Sequence, residues 1–157
     1  MNKFIIRLSE FVALVCLAAF ILFVSGEDEI SDTKPEQLCN QIISQVNTDG
    51  MTERNNLFLR KKYNTDTESL EHFCYYSTDS AMDVREILII KADKQKCAEI
   101  QENINRVRLE KKKLFDSYSP EQSALLESAV LIYEKGYLFY FVGDNPAAAL
   151  SLFRNNL

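Results

Sequence analysis

The sequence predicts an α+β domain behind an N-terminal transmembrane or signal helix: a four-stranded sheet made of two hairpins linked by a long helix, in the order α-α-β-β-α-β-β-α. Three observations predict it. Two segments rich in aromatic and β-branched residues flank a stretch whose apolar residues recur at three- and four-residue steps, which is a change of period from strand to helix and back. A Lys135-Gly136 pair stands between two apolar runs and supplies the positive φ of a tight hairpin turn. The stretch Phe11 to Val24 is apolar without interruption.

Residues 1–26 read as the leader. Lys3 and Arg7 precede the apolar run and Glu27, Asp28 and Glu29 follow it, so the positive flank stays on the cytoplasmic side. The run alone suits a signal-peptide core. Phe4, Ile5, Ile6 and Leu8 extend it toward the roughly 20 residues of a membrane span, with Arg7 and Glu10 able to pair at the interface. Cleavage after Gly26 would use Val24-Ser25-Gly26, which lacks a polar stretch before it, and lipidation at Cys16 is opposed by the bulky Val15 beside it. The preferred reading is an uncleaved single-pass anchor in the cytoplasmic membrane with the rest of the chain extracytoplasmic; cleavage after Gly26 would make the protein secreted.

Residues 27–34 read as a short exposed acidic tether, and 35–157 as one domain. Pro35 opens a helix with Leu38, Cys39, Ile42 and Val46 on one stripe, ended by Asp49-Gly50. Thr52 to Tyr63 reads as a second helix with Leu57, Phe58 and Tyr63 inward. Leu70 to Ser77 and Val84 to Ala92 form a hairpin, and Ile87 and Ile89 opposite Leu88 and Ile90 make the second strand apolar on both faces, hence central. Cys97, Ile100, Ile104, Val107, Leu114 and Tyr118 mark the long amphipathic helix, whose Glu110 to Lys113 run reads as a solvated face. A short helical piece near Glu121 to Leu126 precedes the second hairpin, whose arm Tyr137 to Val142 is apolar throughout. Asn145 and Pro146 open the closing helix.

Taken in order, "LRKKYNTDTESLEHFCYYS", "VREILIIKAD", the charged helix, "AVLIYEKGYLFYFVGDN" and an Ala-rich last helix resemble the small extracytoplasmic family of Gram-positive bacteria called domain of unknown function four-three-five-eight. The resemblance covers Leu38 to Leu157. It implies fold and compartment and no activity. Many members it resembles carry a lipidation Cys directly before the domain, a feature this chain lacks.

Composition narrows the chemistry. A net charge of −5 opposes nucleic-acid binding, which needs a basic footprint. The single histidine, His72, lies on a strand beside Phe73 and reads as structural, with no nucleophile at a recognisable spacing. Cys16, Cys39, Cys74 and Cys97 contain no metal-type pair; Cys39, Cys74 and Cys97 read as buried thiols, with one disulfide permitted and none required. Four scattered glycines build no phosphate loop. No catalytic set, cofactor or metal is expected. Tyr75, Tyr76, Tyr137 and Tyr140 could form an aromatic platform on one sheet face, against the blander reading of core residues with hydroxyls reaching a partner. The expected function is a non-catalytic binding or interaction module of the cell envelope, touching the membrane through its leader and an envelope protein or ligand through its domain. The alternatives are a carboxylate-dependent hydrolase of envelope polymers using Asp79 and Asp83, and a secreted small-ligand binder using the tyrosine face.

Overall fold

The computed structural model describes residues 12, 14–17 and 30–157. The described leader residues are helical, and the rest of the predicted leader, with its cleavage and anchor readings, lies outside the described residues. Among the described residues no helix is long and apolar enough to cross a membrane.

The domain is α+β, and its sheet has five antiparallel strands where the sequence predicts four. Helix α1 spans Pro35–Ile43, followed by β1 (Met51–Glu53), α2 (Asn56–Tyr63), β2 (His72–Thr78) and β3 (Glu86–Lys91). The long helix α3 (Lys94–Phe115) leads to α4 (Pro120–Glu127), β4 (Val130–Glu134), β5 (Tyr137–Val142) and α5 (Pro146–Asn156). The extra strand is β1, which the sequence reading assigned to the start of a helix. Three residues carry no readable period, and only the pairing of Met51 with Thr78 and Glu53 with Tyr76 makes them a strand. Helix α2 begins later, at Asn56, capped by Asn55, whose side chain accepts from the Phe58 N–H.

The strand order is β1-β2-β3-β5-β4. The two strands apolar on both faces, β3 and β5, pair with each other in the middle, Leu88 opposite Tyr140 and Ile89 opposite Phe139. The turn between β4 and β5 places Lys135 at φ 50 and Gly136 at φ 87, the two left-handed residues a type I′ hairpin requires.

One face of the sheet is covered by α2, α3 and α4 through Leu59, Tyr63, Ile100, Ile104, Phe115 and Leu126. The other is covered by α1 and α5, where the Phe153 ring stacks on Phe139 at 4.5 Å. At the end of α3, Leu114 and, in the turn beyond the helix, Tyr118 prove exposed, and Phe115 is buried in their place. Eleven residues separate Ile104 from Phe115, close to three turns at 3.6 residues each, so the stripe passes through Phe115.

One further expectation is corrected. Cys39 and Cys74 are joined by a disulfide, because α1 crosses β2 with the two Cα atoms 6.3 Å apart; Cys97 alone of the three remains a buried thiol, pushed up to about 11 by burial. Among the described residues of the tether, Ile30, Asp32 and Lys34 are exposed as expected, and Ser31 alone is buried. Ser31 is 6% accessible, its N–H donates to Lys135 O at 2.9 Å and its hydroxyl to Leu157 O at 2.6 Å.

Candidate functional site

A concavity of about 340 Å³ lies at the end of the sheet away from the β4–β5 turn. Val46 and Met51 close one side, Ala148, Ala149 and Leu152 of α5 the other, and Phe141 forms the floor. Its size falls at the low end of the about 300–1,000 Å³ usual for ligand pockets, and its mostly apolar wall with a few polar groups is the usual composition.

Local sequence explains the floor. Gly143 follows the last strand residue, and a Cβ there would fall 2.6 Å from Cζ of Phe141 and 3.0 Å from Cε1. The missing side chain lets the ring fold back over the chain. Gly143→Ala is expected to displace this ring at a cost of about 1–3 kcal/mol, read as a lowered urea midpoint together with shifted Phe141 ring resonances. Unchanged ring resonances would refute the account.

The charged residues lining the groove are Arg85 and Asp144, and the cation is compensated. Arg85 donates from Nη2 to Asp83 Oδ2 at 2.6 Å and from Nε to both Asp83 oxygens at 3.1 and 3.0 Å, and reaches Asp49 O at 3.3 Å. Burial opposes ionisation of Asp83, but the Arg85 hydrogen bonds prevail and hold its carboxyl below the usual value. Asp83, Asp144 and Asp49 raise Arg85 in turn. Of these three carboxylates only Asp144 lines the groove beside Arg85, while Asp83 and Asp49 neutralise the guanidinium from outside the lining; the local charge therefore favours a neutral or positively charged occupant over an anion.

A second polar cluster lies at the same end on the opposite face. Glu86, next to Arg85 on β3, is 2% exposed, and its Oε2 accepts from Lys62 Nζ at 2.5 Å, Tyr63 OH at 2.7 Å and Tyr75 OH at 2.8 Å. Burial would raise this carboxyl; the Lys62 ammonium and the Tyr63 hydroxyl outweigh it and hold it below its ordinary value. Lys111, predicted to belong to a solvated face, is half-buried beside this cluster, its amine lowered by burial and by Lys62. Glu86 was legible in principle. It occupies the alternate position between Val84 and Leu88, a charge on the strand's core-facing side.

The four tyrosines do not share one exposed face. Tyr75 and Tyr140 are buried under α2 and α3; Tyr137, also buried, and the half-buried Tyr76 lie on the α1 and α5 side. Tyr137 donates to Thr33 O at 2.6 Å. Asp79 is bound by Arg54 at 2.7 Å and Thr52 at 3.0 Å, which lower its carboxyl. A general acid needs a raised carboxyl, and Asp79 and Asp83 are both shifted the other way. His72 Nδ1 lies 3.5 Å from Glu36 at the surface. Among the described residues no group of three or more metal-ligating side chains forms a metal site.

A family model described as "Domain of unknown function (DUF4358)" matches residues 44–143. No curated protein and no solved structure matches the chain.

Proposed function

The chain belongs to the family described as domain of unknown function (DUF4358), and from that premise, which brings no activity with it, we propose a non-catalytic binding module of the bacterial cell envelope. The leader tethers it to the cytoplasmic membrane, and the groove over Phe141 takes the apolar part of a ligand that carries a neutral or cationic head. The observation that carries this reading is the groove itself: a mostly apolar trough whose one cation, Arg85, is outweighed by Asp144 in the lining and by Asp83 and Asp49 beside it. The extracytoplasmic location is supported by the Cys39–Cys74 disulfide, since such bridges persist in oxidising compartments.

Octylammonium and octanoate share a tail and differ in the sign of the head, so they test both halves of the proposal. In a titration followed by NMR, octylammonium is expected to shift resonances of Val46, Phe141 and Leu152 at several-fold lower concentration than octanoate. Ala148 is exposed on the groove wall, so Ala148→Trp should fill the trough, leave the fold intact and abolish the shifts. Shifts scattered over the surface, or unchanged in Ala148→Trp, would refute the groove as the site.

A further inference from the structure

We infer that the groove over Phe141 recognises an uncharged peptide segment of a partner protein, taking one aliphatic side chain into the trough and hydrogen-bonding the peptide units on either side of it at the rim. The inference deepens the proposed function and rests on its assignment of the groove as the binding site.

Bonds inside the domain orient the polar groups of the rim. Asn47 Oδ1 accepts from the Asp49 N–H at 2.9 Å and Asn145 Oδ1 from the Ala148 N–H at 3.2 Å, so each amide has its oxygen engaged and its Nδ2 donors left for an occupant. Gln45 is turned the other way: its Nε2 donates to Gln41 O at 3.1 Å, which leaves Oε1 as an acceptor. The bonds from Arg85 to Asp83 and to Asp49 O use Nε and Nη2 and leave the N–H groups of Nη1. Asp144 adds a carboxylate, and all five side chains line the groove.

Donors and acceptors therefore stand together around an apolar trough. An ammonium head supplies donors alone and a carboxylate acceptors alone, so each would leave part of this rim without a partner, whereas a peptide unit supplies one N–H and one C=O and stays neutral. A neutral group also avoids the large cost of taking an ion out of water beside apolar walls. The walls select the side chain. Val46, Ala149, Leu152 and Phe141 offer no partner to a polar group, and Met51 supplies a thioether that adapts to irregular apolar shapes. A volume at the low end of the range for ligand pockets takes one side chain with its adjacent amides, the share that a segment of a longer chain would insert while its remainder stays outside.

The full chain in lipid nanodiscs is titrated with acetyl-alanyl-leucyl-alanine N-methylamide and with isopentylammonium, which shares the branched tail and lacks the amides, and is followed by NMR. The peptide is expected to shift Val46, Phe141 and Leu152, together with the side-chain amide protons of Asn47 and Asn145, at several-fold lower concentration than the amine. Asn47→Asp combined with Asn145→Asp keeps the oxygens that accept from Asp49 and Ala148, so the turn and the helix cap are retained while the free donors become acceptors. The order of the two probes should then reverse, and either single variant should lose part of the preference for peptide. A peptide no better than an amine that does shift the groove, or a preference that survives in the double variant, overturns peptide recognition and leaves the groove as the site. Failure of both probes to shift the groove overturns the groove and this inference together.

Discussion

Glu86→Ala is expected to lower the free energy of unfolding by about 3 kcal/mol, the lower end of the range for breaking a buried ion pair. The lower end applies because Lys62 keeps 22% of its side chain accessible and can turn toward water. Tyr63 and Tyr75 cannot, so their buried hydroxyls lose a charged acceptor. Glu86→Gln retains an acceptor of similar shape and should cost about half as much.

The pH dependence follows from the same cluster. The folded carboxyl lies below its ordinary value of 4.5, so its contribution is present above that pH and is lost as pH falls through the folded value. The difference between wild type and Glu86→Gln in urea should therefore shrink between about pH 7 and about pH 3. Burial and the Glu86 charge raise Tyr63 and Tyr75 above 10.0, so stability is complete below that pH and falls as pH rises beyond it. An unfolding difference independent of pH on the acid side would refute the assignment.

Loss of the disulfide should produce an effect of similar size by a different route. Cys39 and Cys74 are 35 residues apart, and closing a loop of that length in the unfolded chain contributes roughly 4 kcal/mol in the chain-entropy treatment. Both sites are buried, so the paired Cys39→Ala and Cys74→Ala variant is the clean test, because serine hydroxyls would be left without partners. The thermal midpoint should fall by roughly 10–15 °C. Chain isolated from the envelope and denatured without reductant should show Cys16 and Cys97 as its only reactive thiols; four reactive thiols would remove the bridge and the support it lends to an extracytoplasmic location.

Several elements are readable from local pattern because their cause is local. The Lys135-Gly136 turn follows from the left-handed φ that glycine tolerates. The central positions of β3 and β5 follow from apolar residues on both faces, and the Pro35 and Pro146 helix starts from a fixed φ and a missing donor. The burial of Glu86 was readable too, from a charge at a core-facing alternate position. Strand β1 was not, since Met51–Glu53 becomes a strand only through its partner on β2.

The sequence by itself determined an acidic α+β domain, an uninterrupted apolar run from Phe11 to Val24, two hairpins about a long helix, and the family to which the chain belongs. Only the tertiary structure decided that Cys39 meets Cys74, that Ser31 and Thr33 are fastened to the sheet, that the four tyrosines divide between two faces, and that Phe141 floors a groove. The physical reason is range. Turn, cap and period signals act over a few residues through φ preferences and side-chain spacing, whereas a bridge, a clasp or a groove joins residues tens of positions apart, which meet only after the sheet has brought its two covering layers into register.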